Sequence, residues 1–135
     1  MPIIEAKSNL NVVIGILKRQ KCFLITTRPK GKSFEDFWEF PGGKVEKNES
    51  LKQALSRELR EELSIQTYQR SFTLLDNYKY KISNKILTLY FFICDRWTGK
   101  IRPNENQDFK WVNKKNFCNY NFLPSNNKII KLLSI

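Results

Sequence analysis

Residues 50–65 read SLKQALSRELREELSI. Leu51, Leu55, Leu59 and Leu63 recur every four residues with Ala54 beside them, the spacing of an apolar helix stripe. Strong helix formers fill the run and no Gly or Pro interrupts it, which predicts a helix from about Ser50 to Leu63. At about 100° per residue, Glu58, Glu61 and Glu62 share one arc of that helix. Glu62 falls within the leucine stripe, about 20° from Leu51 and Leu55, with Glu58 at its edge. At least one carboxylate therefore faces protein rather than water. Like charges at this spacing destabilise a helix by a few tenths of a kcal/mol, and a buried unpaired carboxylate costs several kcal/mol more. On the wheel Arg57 and Arg60 lie away from Glu62, so a hard divalent cation, which takes oxygen ligands, is a candidate to balance it. The plainer alternative is a solvated face laced with intrahelical ion pairs.

Upstream, EFPGGKVEKNES (39–50) is a Pro-Gly-Gly turn feeding a helix start, with Ser50 or Asn48 available as cap. Gly42 and Gly43 let backbone approach a ligand closely. NLNVVIGIL (9–17) and CFLITT (22–27) read as a strand pair joined by KRQK, followed by a loop, RPKGKSFEDF (28–37). Downstream, TYQRSFTLLDNYKYKI (67–82) and KILTLYFFICDRW (85–97) form a long hairpin about Ser83 and Asn84. QDFKWV (107–112) is a further strand and LPSNNKIIKLLSI (123–135) a terminal helix. Strands on both sides of a central helix imply a mixed sheet covered by helices, α/β or α+β. Without repeats or linkers, residues 1–135 are expected to form a single domain.

Hydrophobic residues make up 41% of the 135 and aromatics 13%, which excludes a disordered chain. No apolar run approaches the roughly 18 residues of a membrane span, and NVVIGIL lacks a signal-peptide pattern, so a cytoplasmic location without membrane partners is expected. Cys22, Cys94 and Cys118 lack CxxC spacing and read as reduced thiols in or near the core. The absence of histidine excludes Ser-His and Cys-His catalysis and His-ligated metals, leaving Glu, Asp, Lys, Tyr or Cys as acids and bases. A formal charge of +11 favours anionic partners, although the lysines are scattered rather than gathered into a tail.

Residues 43–65 follow G-x5-E-x7-R-E-U-x-E-E-x-G-U, where U is a bulky aliphatic residue, with one departure. This resembles the Nudix box, matched by Gly43, Glu49, Arg57, Glu58, Leu59, Glu61, Glu62 and Ile65. The departure is Ser64, where the family has glycine; that position ends the helix, where a left-handed residue costs about 1 kcal/mol if it is not glycine. The resemblance implies an α/β/α sandwich with a mixed sheet flanked by helices. It further implies that Glu58, Glu61, Glu62 and the Gly43 carbonyl hold Mg²⁺, or Mn²⁺, with Arg57 and Glu49 orienting them. The implied reaction is attack of water on a diphosphate linkage.

WEFPGGKVE, DRWTGK, ENQDFKWV and FLPSNNKIIKLL extend the likeness, in order and spacing, to the MutT-type 8-oxo-dGTP diphosphatases, which release the monophosphate and pyrophosphate. In that family the position of Glu105 supplies a further metal ligand or the base, so the resemblance leaves Glu58 and Glu105 both open as base. It implies that Asn126 contacts guanine, against the alternative of a helix cap, and that Arg28 and the Phe40 backbone line the nucleotide pocket. 8-Oxoguanine carries a hydrogen on N7 where guanine has a lone pair, so a backbone carbonyl there would separate the two. The resemblance thus implies a monomeric enzyme that removes 8-oxo-dGTP, with 8-oxo-GTP a possible second substrate, and forms no stable nucleic-acid complex. The alternatives are another substrate (another nucleoside triphosphate, a dinucleoside polyphosphate or ADP-ribose) and a non-catalytic module that reads oxidised guanine in DNA.

Overall fold

The computed structural model describes residues 8–135; residues 1–7, included in the expected domain, lie outside the described part. Strands β1 (Ser8–Arg19) and β2 (Cys22–Thr27) form the first hairpin, and two short strands follow, β3 (Trp38–Glu39) and β4 (Gly42–Lys44). Helix α1 (Leu51–Leu63) leads to β5 (Gln66–Thr67), then to the hairpin of β6 (Thr73–Ile82) and β7 (Lys85–Cys94). β8 (Trp97–Thr98), β9 (Phe109–Asn113) and helix α2 (Asn127–Leu133) complete the chain.

The main sheet runs β3-β2-β1-β7-β6, with β4 on β1 and β9 on β2, while β5 and β8 pair separately. It is mixed: β1 and β7 are parallel, and the other pairings are antiparallel. β1 is covered on both faces, which explains why its sequence is a continuous apolar run rather than a clean alternation. Val13 and Leu17 pack with Leu55, Leu59 and Leu63 of α1, whereas Ile14 and Ile16 pack with Phe91, Phe117 and Ile129 on the other side. The result is an α/β/α sandwich.

The ends of α1 fix the position of everything that follows. At its start Ser50 Oγ accepts from the Gln53 N–H at 3.1 Å, while Gln53 Oε1 accepts from the Ser50 N–H at 2.8 Å, a reciprocal capping box. At its end Ser64 adopts the left-handed conformation, φ 63° and ψ 25°, that the glycine of the motif would reach without strain. The last helical carbonyls, which have no intrahelical partner, are satisfied from a distant loop. Arg102 N–H donates to Leu63 O at 2.8 Å, Asn104 N–H to Glu62 O at 2.9 Å, and Asn104 Nδ2 to Glu61 O at 2.6 Å. Residues 102–104 are thereby tied to the helix, and Glu105 follows directly.

Of the three thiols, Cys94 is buried and Cys22 half-buried, but Cys118 is exposed. Cys118 lies in the 3-10 segment Lys114–Asn119, whose one buried residue is Phe117, so the expectation of core thiols fails there.

Candidate active site

Arg57 is the hub of the carboxylate helix. Its Nε and Nη2 donate to the two oxygens of Glu49 at 2.7 and 2.9 Å, its Nη1 to Glu58 at 2.8 Å and Glu61 at 3.2 Å, and its Nη2 also to the Lys44 carbonyl at 3.0 Å. The two-point pairing with Arg57, helped by the Glu46 N–H, pulls the Glu49 carboxyl down to about 2. The same contacts raise the Arg57 guanidinium above its already high range. For Glu58, burial pushes the carboxyl up, and Arg57 only partly offsets it.

Glu62 has no such partner. Among the described residues no arginine or lysine pairs with it, and its carboxylate accepts one hydrogen bond, from the Gly42 N–H at 3.3 Å. Burial first, then the nearby Glu39, Glu105 and Glu58 charges, push it up to about 8 against the Gly42 contribution. The wheel thus placed Glu62 correctly, while Arg60, exposed at the far side, faces solvent.

Gly43 stands directly against this cluster. A Cβ there would overlap the Glu58 carboxylate, and a Cβ at Gly42 would overlap the Val13 carbonyl. Neither glycine has a positive φ, so close approach rather than unusual backbone conformation requires them. Glu105, with a side chain 49% exposed, is brought beside the helix carboxylates; its N–H donates to Gln107 Oε1 at 2.9 Å and its carboxylate lies 3.9 Å from Lys32.

One cavity of about 400 Å³ reaches Gly42, Gly43 and Lys44, the backbone beside this cluster, and is lined further on by Arg28, Glu39, Phe40, Ser125 and Asn126; Glu58, Glu61, Glu62 and Glu105 do not line it. Apolar walls come from Ile14, Tyr80, Leu87 and Leu89. Asn126 is buried, and although it precedes α2, its side chain makes no capping bond. Instead its Oδ1 accepts from the Phe40 N–H at 3.2 Å and its Nδ2 donates to Ser125 Oγ at 3.2 Å. A larger, shallower groove of about 700 Å³ around Arg19, Tyr68 and Arg96 contains none of the predicted residues.

Sequence reasoning missed Glu39 and Asn104. Glu39 is half-buried in the cavity wall beside Arg28, with its carboxyl pushed up by desolvation against the opposing effect of Arg28. Its signal was a lone charge between Trp38 and Phe40 in an otherwise apolar extended piece. Asn104, which ties its loop to α1, carries no local signal because its partners lie about 40 residues away.

Among the described residues no three acidic side chains are grouped closely enough to hold a metal ion, and Glu58 and Glu61 both accept from Arg57 Nη1. The donor set nevertheless suits a hard cation: carboxylate oxygens, one of them desolvated and without a counter-charge, beside backbone that approaches without a Cβ.

The sequence model of the NUDIX domain matches residues 12–132, and the chain belongs to that family. An 8-oxo-dGTP diphosphatase of Buchnera aphidicola subsp. Schizaphis graminum is 39% identical over 120 residues, covering 89% of each chain. A CTP pyrophosphohydrolase of Escherichia coli is 32% identical over 116 residues, covering 86% of this chain and 84% of its own. A solved MutT, from work on the Aliivibrio salmonicida and Vibrio cholerae proteins, superposes with a TM-score of 0.81 at 32% identity, covering 94% of this chain and 98% of its own. No helix among the described residues is long and apolar enough to cross a membrane.

Proposed function

We propose that this protein hydrolyses 8-oxo-dGTP, and also 8-oxo-GTP, to the monophosphate and pyrophosphate in a Mg²⁺-dependent reaction that keeps oxidised guanine out of newly made DNA. The observation that carries this reading is the single cavity: its walls include both the Gly42–Gly43 backbone against the carboxylate helix and the Phe40–Asn126 pair. A nucleotide there spans both.

Glu58, Glu61, Glu62 and the Gly43 carbonyl would hold the ion, Glu105 would complete the set, and Mn²⁺ would substitute for Mg²⁺. When bound, such an ion neutralises phosphate charge and makes water a better nucleophile. Arg57 and Glu49 hold Glu58 and Glu61 in place. Water adds to phosphorus at the linkage between the first two phosphates, the P–O bond to the departing group breaks, and the water proton passes to a carboxylate. Of the two candidates Glu105 suits that role better: it is half-exposed with only a 3.9 Å contact to Lys32, whereas Glu58 already accepts from Arg57 at 2.8 Å.

Base choice follows from the Asn126 amide. With Oδ1 held by the Phe40 N–H, the second Nδ2 hydrogen remains to donate to the guanine keto oxygen, a match that adenine's amino group lacks. The Phe40 carbonyl accepts from the N7 hydrogen of 8-oxoguanine and repels the lone pair of guanine, a discrimination by polar matching that reaches several orders of magnitude in favourable sites. Arg28 binds the phosphate chain.

The similarity to a CTP pyrophosphohydrolase supports a second reading, a pyrimidine triphosphate as substrate. Product analysis with 8-oxo-dGTP, dGTP and CTP separates them: turnover of 8-oxo-dGTP at least 100-fold above both supports the first reading, and preference for CTP replaces it. Retained function in Glu61→Gln would instead favour a non-catalytic guanine-binding module, which the carboxylates present do not support.

A further inference from the structure

Glu39 is a carboxylate that the reaction above leaves without a task. Its side chain is only 19% exposed, in the cavity wall that also holds Phe40, Gly42 and Gly43. Among the described residues its one ion-pair partner is Arg28, whose Nη1 donates to Glu39 Oε2 at 3.4 Å. Arg28 is held a second time, by its Nε donating to the Ser33 carbonyl at 3.3 Å. Nη2, its third nitrogen, has no protein acceptor among the described residues, and Arg28 lines the cavity.

Backbone register builds this arrangement. β2 and β3 are paired with Thr26 opposite Glu39 and Thr27 opposite Trp38, and the Arg28 N–H continues the pairing by donating to Phe37 O at 3.0 Å. The two side chains therefore start from adjacent, hydrogen-bonded strands, and little freedom is lost when they meet. A guanidinium fixed at two nitrogens with the third open is preorganised for an anionic oxygen. Without Glu39 the long Arg28 side chain would keep only the Ser33 carbonyl and would sample other rotamers.

We propose that Glu39 is a positioning residue that holds Arg28 across the cavity so that Nη2 meets a phosphate oxygen of the bound nucleoside triphosphate. The inference rests on reading the cavity as the nucleotide site. It places Glu39 outside the metal set, although Glu62 and Glu105 are close to it.

The test is a double-mutant cycle with Glu39→Gln, Arg28→Ala and the double variant, measured as KM and kcat on whichever nucleoside triphosphate the wild type turns over best, with thermal midpoints and Mg²⁺ titrations alongside. Glu39→Gln should raise KM about tenfold, leave kcat within threefold and leave half-saturating Mg²⁺ within twofold. In the Arg28→Ala background the same substitution should change KM less than twofold. Glu39→Asp, which keeps the charge with a shorter reach, should give an intermediate KM and covers the case in which the Gln variant fails to fold. Additive KM effects would overturn the proposal, as would a shift of tenfold or more in half-saturating Mg²⁺, which would make Glu39 a metal ligand. If the preferred substrate proves not to be 8-oxo-dGTP, the function assigned above fails while the cycle still decides the role of Glu39.

Discussion

Replacing Glu62 by Gln should stabilise the protein in the absence of metal and abolish its activity in the presence of metal. In the folded chain burial raises the Glu62 carboxyl from 4.5 to about 8, so ionising it is harder in the fold than in the unfolded chain. Below pH 4.5 the carboxyl is protonated in both states and costs nothing. As the pH rises toward 8 the unfolded chain ionises freely and the fold does not, so stability is lost across that window and levels off above it. At 1.36 kcal/mol for each pH unit the ceiling of this loss is about 5 kcal/mol, and relaxation of the site or entry of water lowers it to about 2–3 kcal/mol. Gln keeps an acceptor for the Gly42 N–H and carries no charge. Urea unfolding in EDTA from pH 5 to pH 9 should show wild type falling behind Glu62→Gln as the pH rises, with the gap constant above about pH 8. Added Mg²⁺ should close or reverse the gap, because a bound ion stabilises only the folded wild type. Parallel pH profiles for the two proteins in EDTA, or a less stable Gln variant at pH 8.5, would show that the Glu62 charge carries no penalty in the fold.

Other perturbations test the parts around it. Arg57→Ala removes the cation shared by Glu49, Glu58 and Glu61 and should weaken Mg²⁺ binding by about 10- to 100-fold, measured as half-saturation of hydrolysis. Gly43→Ala forces its new Cβ against the Glu58 carboxylate and should lower kcat about 100-fold with the circular dichroism spectrum unchanged. Ser64→Gly relieves left-handed strain but gives up hydroxyl contacts to Arg102 O and Asn104 Oδ1, so a net gain of about 0.5 kcal/mol is expected, a rise of about 2 °C in the thermal midpoint.

The features legible in the sequence were those that repeat or act locally. The leucine spacing gave α1, the cap was narrowed to Ser50 or Asn48, the left-handed end at Ser64 followed from its place in the motif, and wheel geometry alone placed Glu62 toward protein. The apolar run of β1 announced a strand but not that it lies parallel to β7, because register is set by partners some 75 residues away. For the same reason the docking of residues 102–104 on α1, which brings Glu105 to the helix, could not be read locally. Asn126 shows the limit most clearly. Its neighbours make it look like a cap, and only the fold puts Phe40 within reach of its side chain.

The carboxylate site is proposed to work with a metal ion and to select an oxidised guanine nucleotide. Its most direct test is a competition assay with equimolar 8-oxo-dGTP and dGTP in one reaction, followed by separation of the products. With Mg²⁺ the expected products are 8-oxo-dGMP and pyrophosphate, with dGTP consumed at least 100-fold more slowly, and no hydrolysis of either in EDTA. Equal consumption of the two nucleotides, or turnover that persists in EDTA, would contradict it.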